Sequence, residues 1–250
     1  MIPFRLLAQV RTPDGSLLTL HEHDGEHYMK LNGRQLMSTT STTSEELLAD
    51  YGCDRVPRTG PARVLIGGLG LGFTLKRVLH LLGPGAEVHV AELLPEVVAW
   101  TKHHLMKVNG KLLRDKRVTI LTEDVFDVIR RSAKEPYDAI LLDVDNGPTS
   151  FVQAGNKRIY RRGGHAAVRR ALKMKGTVAY WSATEEPEFI GQLMRAGFRA
   201  TVFEAKAHER AKRAAHRIYV AVRWEAVHGQ RDEDPPKPQR RGPVPRTREK

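Results

Sequence analysis

The run Ala62-Arg63-Val64-Leu65-Ile66-Gly67-Gly68-Leu69-Gly70-Leu71-Gly72 limits what this chain can fold into more than any other stretch. An apolar segment meets four glycines, and an amphipathic segment over 73–82 follows. That order reads as strand, tight turn, helix. Glycine at such a turn permits positive φ and lets a ligand approach bare backbone. The helix that follows turns its free N–H groups, and the positive end of its dipole, toward that ligand.

Upstream of this turn the pattern is different. Short alternating segments over 4–38 are separated by Pro13-Asp14-Gly15, Asp24-Gly25 and Asn32-Gly33. Asp-Gly and Asn-Gly between short strands are strong hairpin signals. A small antiparallel sheet is expected there. The Ser/Thr run over 38–44 leads into Glu45-Glu46-Leu47-Leu48, a helix start, with the helix ending near Tyr51. Residues 57–61 read as a linker.

From Ala62 onward strands and helices alternate. Strands are predicted over 63–67, 87–92, 117–121, 139–143, 176–182, 198–204 and 216–223. Helices are predicted over 73–82, 95–108, 125–132, 156–173 and 187–196. This alternation predicts an α/β fold with a mostly parallel sheet, helices on both faces and an antiparallel hairpin of the last two strands at one edge. The expected organisation is a β-hairpin domain with a short helix over 1–56, a Rossmann-like domain over 62–225, and a disordered basic tail over 228–250, rich in Pro and Arg.

Open α/β sheets bind ligands beyond the carboxyl ends of their strands, so the residues there carry the functional reading. The first strand delivers Gly67, Gly68, Gly70 and Gly72. The second delivers Glu92, the third Glu123-Asp124-Val125-Phe126, and the fourth Asp143-Val144-Asp145-Asn146-Gly147-Pro148. Glu92 lies 20–25 residues past the glycines, a spacing suited to the two hydroxyls of a ribose. Asp124 can accept from an exocyclic adenine amine while the next backbone N–H, that of Val125, faces a ring nitrogen. Asp143 falls nearest the reacting end of a nucleoside cofactor. The turn is not a phosphate loop, because no Lys-Ser/Thr follows it. Tyr180-Trp181-Ser182 closes the fifth strand on the same rim, where Trp181 lines either an acceptor pocket or the core.

Together these segments resemble the spermidine synthase-like branch of the AdoMet-methyltransferase fold, over roughly residues 15–225. The resemblance rests on Leu65–Gly72, Val90-Ala91-Glu92, Glu123–Phe126, the run from Tyr137 to Pro148, and hairpins ending in Leu31-Asn32-Gly33. It implies that Glu92 binds the ribose, Asp124 and Val125 the adenine, and Asp143 the amine being alkylated. The implied reaction moves an aminopropyl group from decarboxylated S-adenosylmethionine to a small-molecule amine and releases methylthioadenosine. An ammonium has no lone pair, so Asp143 would hold the amine and take its proton, directly or through water. Asp145 would add negative potential for a polycationic substrate, and Asn146 stands at or beside the family's second aspartate. Gly70 stands where the family's turn carries an aspartate that contacts the amine region, and Glu45-Glu46-Leu47 lacks the family's Tyr-His-Glu. Two further readings therefore stay open, an S-adenosylmethionine-dependent methyltransferase and a non-catalytic nucleoside-binding protein.

Composition bounds the partners. The apolar fraction of 40% is that of a globular chain, and no apolar run nears the roughly 18 residues of a membrane span. With no signal peptide and a lone cysteine, Cys53, the cytoplasm is the expected compartment. The net charge of +12 concentrates in 157–175 and 206–217. These clusters lack the run of aromatics that base stacking uses, so solvated helix faces are expected rather than a nucleic-acid interface. A homodimer is left open. No metal is expected: His103-His104 has no further ligand at metal spacing, and His21 and His23 share one strand face without a third ligand.

Overall fold

The computed structural model describes residues 3–144, 154–206, 208 and 214–224. Strands β1 (Arg5–Arg11), β2 (Leu17–His23), β3 (Glu26–Leu31) and β4 (Arg34–Ser38) form a sheet in sequence order, each pair antiparallel. Asp24 and Gly25 take φ of +50° and +80°, Asn32 and Gly33 +48° and +81°. Positive φ at both central residues matches the twist of the flanking strands, which is why these dipeptides fix the register. One face buries Leu18, Leu20 and Met29. On the other, Phe4 stacks on His23 at 4.4 Å between ring centroids and meets Tyr28 edge-on.

Helix α1 (Thr43–Gly52) then crosses to the larger sheet. Gly52 is pressed against that sheet: a Cβ there would stand 1.9 Å from Leu141 Cδ2. The larger sheet runs β10-β11-β9-β8-β5-β6-β7. Its parallel strands are β5 (Ala62–Gly67), β6 (Ala86–Ala91), β7 (Val118–Leu121), β8 (Tyr137–Leu142) and β9 (Leu172–Ser182). Strand β11 (His216–Arg223) lies antiparallel between β9 and the edge strand β10 (Phe198–Ala205). Helices α2 (Phe73–Leu81), α3 (Pro95–His103), α4 (Val125–Arg131), α5 (Arg162–Ala171) and α6 (Pro187–Arg195) connect them.

The near-continuous apolar strands are explained by burial on both faces. Val64, Ile66 and Leu141 join a core with α1, α2 and the small sheet. Leu65, Ile140 and Tyr180 point the other way, into a core with Ile129, Val168 and Phe189. The chain leaves β5 for β6 on one side and returns to β8 on the other. This reversal opens a crevice beyond the carboxyl ends of β5 and β8.

Two predicted helices are shorter than their sequence pattern. The helix expected over 95–108 ends at His103. The chain folds back there, with the N–H groups of Val108, Asn109 and Gly110 all donating to the Leu105 carbonyl, and Asn109 Nδ2 donates to the Leu71 carbonyl at 2.8 Å. The helix expected over 156–173 splits into a 3-10 turn, Ala154–Arg158, and α5. Gly164 closes the break: a Cβ there would lie 2.2 Å from the Arg158 carbonyl oxygen. Strand β9 also starts earlier than expected, at Leu172, passing through Lys175 at φ +62°. The expected tail over 228–250 lies outside the described residues.

Burial pushes His165, packed on Phe189, and His216 below the usual histidine range. Native and unfolded chains then differ in proton uptake on acidification. Below pH about 6.5 the unfolded chain binds protons that the native chain refuses, so stability falls. Between pH 7.5 and pH 5 the urea midpoint of the unmodified chain is expected to fall relative to that of His165→Leu, since the two share every other titrating group, Asp143 included. A difference between the two chains that does not change with pH removes His165 from the effect.

Candidate active site

The glycine turn is built by contact with the end of β8. Asp143 donates its N–H to the Gly67 carbonyl at 3.1 Å. Gly68 sits at φ +86°, and a Cβ on it would stand 2.6 Å from the Asp143 carbonyl oxygen. Both the left-handed backbone and the close approach require glycine. Gly68→Ala is expected to cost about 2 kcal/mol or more, read as a lowered thermal midpoint. Gly70, at φ +49°, faces the small sheet, where a Cβ would lie 2.8 Å from Met37 Sδ. Gly67 and Gly72 shape the turn without lining the cavity, and Gly72 is the left-handed N-cap of α2.

A cavity of about 120 Å³ lies between this turn and the inner face of the small sheet. Its apolar wall is Leu18, Met29, Leu31, Leu36 and Met37; bare backbone at Gly68 and Gly70 forms another wall; Glu92, Asp124 and Asp143 complete it, with Val125 and Asn156. The three predicted carboxylates therefore share one cavity with the glycine turn.

Each carboxylate is held differently. Glu92 follows the last residue of β6 and is 8% exposed. Its Oε2 accepts from Leu69 N–H at 2.9 Å and its Oε1 from Leu94 N–H at 3.0 Å. Burial pushes its carboxyl above the usual range, and the Leu94 and Leu69 N–H groups pull part of the way back. Asp124 caps α4, its Oδ1 accepting from Phe126 N–H at 2.8 Å, while Oδ2 pairs with Arg158 Nη2 at 2.7 Å. Asp143 is raised to about 8. Removal from water dominates, the negative charge of Glu45 adds to it, and the Thr74 hydroxyl offsets a little at a geometry outside a regular hydrogen bond. Glu45 is itself raised by burial, against a 2.6 Å hydrogen bond from Ser44 Oγ. Asp143 on the cavity wall and Glu45 within electrostatic reach of it are therefore two acids that both resist ionisation.

Glu45 and Met37 belong to the site and were not among the residues read from the strand ends. Trp181 does not line this cavity; its ring packs on His216 at 4.7 Å between centroids and against the core below. Tyr180 is fully buried in the opposite core. Asp145 and Asn146 lie outside the described residues. Cys53 is buried, its thiol pushed up to about 12, which makes it a poor nucleophile. Among the described residues no cluster of three or more His, Cys, Asp or Glu could hold a metal, and no helix is long and apolar enough to cross a membrane. Several cations of the basic clusters have intramolecular partners: Arg158 with Asp124, Lys173 with Asp138, and Arg217 with Glu185.

The fold is Rossmann-like, of the AdoMet-methyltransferase type, with a small antiparallel sheet placed before the glycine turn. Within that class the fold is that of spermidine synthase. The structure aligns with spermidine synthase from Thermotoga maritima at a TM-score of 0.66 and 19% identity, covering 88% of this chain and 72% of that one. It aligns equally broadly, at 0.65 and 20% identity, with a spermidine synthase in complex with the transition-state analogue AdoDATO. In sequence the chain is 27% identical over 156 residues to polyamine aminopropyltransferase 2 of Aquifex aeolicus, across 61% of this chain and 30% of that protein. It is 34% identical over 125 residues to polyamine aminopropyltransferase 2 of Caldanaerobacter subterraneus subsp. tengcongensis, across 48% and 40%. The chain thus matches less than half the length of these curated relatives. No family model matches the chain.

Proposed function

We propose that the chain is an aminopropyltransferase that moves the aminopropyl group of decarboxylated S-adenosylmethionine to an amine and releases methylthioadenosine. The observation that carries this reading is Asp143, a high-pKa carboxyl seated on the glycine turn and sharing one cavity with Glu92 and Asp124. Bare backbone at Gly68 and Gly70 lines the cavity, and the Glu92 carboxylate has lone pairs left for ribose hydroxyls after its two backbone bonds. In this reading Asp124 and the Val125 N–H meet the adenine. The curated relatives carry the name polyamine aminopropyltransferase, and one structural neighbour holds AdoDATO, which supports the donor.

The chemistry asked of the protein is positioning and proton removal. The amine nitrogen bonds to the propyl carbon as the carbon–sulfur bond breaks, and the electron pair goes to sulfur, which becomes a neutral thioether. Asp143 takes the proton that the ammonium must lose first. A carboxyl near 8 is matched to that task at neutral pH. A cationic acceptor arriving beside Asp143 and Glu45 favours their ionised forms, so its binding draws out the base. Asp145 and Asn146 extend that negative and polar character in sequence. The leaving group is already cationic, so orientation supplies much of the acceleration.

A second reading, methyl transfer from S-adenosylmethionine, is favoured by one observation: Met37 fills the space beside Gly70, leaving a thioether rather than a carboxylate there. Calorimetric titration separates the two. Tighter binding of decarboxylated S-adenosylmethionine than of S-adenosylmethionine is expected; the reverse order overturns the aminopropyl reading in favour of the methyl one.

A further inference from the structure

We infer that Arg158 is a positioning residue for the nucleoside, acting through Asp124. This rests on the functional reading above, which assigns the nucleoside to the cavity. Asp124 ends the β7 side of the rim and Asp143 the β8 side. One short segment, the 3-10 turn Ala154–Arg158, ties both down. Asn156, 9% exposed and on the cavity wall, donates from Nδ2 to the Val144 carbonyl at 3.3 Å. Two residues later Arg158 Nη2 meets Asp124 Oδ2 at 2.7 Å, with its guanidinium over the Phe126 ring at 5.0 Å from the centroid.

The geometry gives the pair a specific task. Asp124 Oδ1 is fixed by the Phe126 N–H, and Oδ2 by Arg158, so the carboxylate plane is set from both ends. Its remaining lone pairs then point in fixed directions, and a third donor from the nucleoside meets an acceptor that needs no reorganisation. The guanidinium sets a positive charge and a directed N–H donor against Oδ2 as that nucleoside donor arrives. Phe126, held beneath the guanidinium, limits the arginine to one approach. An ion pair of this exposure contributes little to folding, since the arginine side chain is 46% exposed. A pair whose carboxylate lines the cavity, with little stake in stability, is better explained by what the arginine does to Asp124 than by what it does for the fold.

The test uses methylthioadenosine as the calorimetric probe. Arg158→Gln is expected to weaken its binding about tenfold, with a thermal midpoint within about 2 °C of the unmodified chain. Arg158→Lys, which keeps the charge, is expected to recover part of the loss. In an Asp124→Asn background the Arg158→Gln change is expected to have little further effect, because the arginine acts only through that carboxylate. Unchanged affinity in Arg158→Gln overturns the inference and leaves the functional reading intact. Tighter binding overturns it too, because Arg158 would then compete with the nucleoside for Asp124. A full tenfold loss that persists in the Asp124→Asn background also overturns it. An unmodified chain that binds no methylthioadenosine overturns the functional reading and this inference with it.

Discussion

Asp143→Asn is expected to abolish aminopropyl transfer and, at the same time, to raise the melting temperature. The first effect follows from the loss of the proton acceptor. General-base removal costs about 10²–10⁴ in rate, and an amide at this position accepts no proton from an ammonium. The second follows from the environment of the carboxyl. In the folded chain its pKa is about 8, against 3.8 for a free aspartate. Burial is the main cause and Glu45 adds to it. Between these two pH values the unfolded chain releases its proton and the native chain keeps it. Native stability therefore declines as pH rises through that window. Asparagine does not titrate, so the variant escapes the penalty. Its advantage is expected to be absent near pH 4 and full above pH 8, on the order of 1–2 kcal/mol after solvent screening at a half-buried site. That corresponds to roughly 2–8 °C for a chain of this size. For the proposed transfer by the unmodified chain, kcat/KM is expected to rise with pH and level near 8. A variant that melts lower at pH 8, or a flat pH–rate profile, removes Asp143 from the role of buried base.

Glu92→Ala is expected to damage binding and folding together, in contrast to Asp143→Asn. Glu92 fastens the glycine turn to the end of β6 by accepting from Leu69 and Leu94. Without it, two N–H groups at a buried position lose their acceptor. Each such group costs about 1–3 kcal/mol when water cannot replace the partner, and the cavity lets some water in, so about 2 kcal/mol overall is expected. Methylthioadenosine affinity is expected to fall about 100-fold, since the variant loses both the ribose acceptor and the turn's geometry. Glu92→Gln keeps the volume but turns an amide NH₂ toward one of the two N–H donors, so it falls between. A Glu92→Ala protein that binds methylthioadenosine normally excludes Glu92 from the nucleoside site.

The contrast between these two carboxylates shows what could be read in advance. Glu92 and Asp143 were legible as cavity residues because each follows a strand directly, and Asp124 because it comes three residues after β7; a parallel sheet delivers strand ends to one rim whatever the helices do. The hairpin turns were legible for an equally local reason: Asp24-Gly25 and Asn32-Gly33 accept positive φ at both positions. Glu45 was not legible as a site residue. Its influence on Asp143 depends on where α1 docks, and that is set by the fit of Gly52 against Leu141. Met37 reaches Gly70 only because the small sheet folds over the turn. The two helices that ended early failed for the same reason. Helical periodicity continued through 104–108 and 156–161, but the hydrogen bond from Asn109 to Leu71 and the close approach of Gly164 to Arg158 are tertiary. Arg158 itself read as part of a basic cluster; its place beside Asp124 depends on that same break.

Aminopropyl transfer itself is open to a turnover measurement. The purified chain is incubated with decarboxylated S-adenosylmethionine, with and without a panel of diamines and polyamines, and released methylthioadenosine is quantified by chromatography alongside the alkylated amine. Methylthioadenosine release is expected to depend on an amine, to match the new amine mole for mole, and to be absent in Asp143→Asn. Release of S-adenosylhomocysteine from S-adenosylmethionine, with no methylthioadenosine from the decarboxylated donor and any amine, contradicts it.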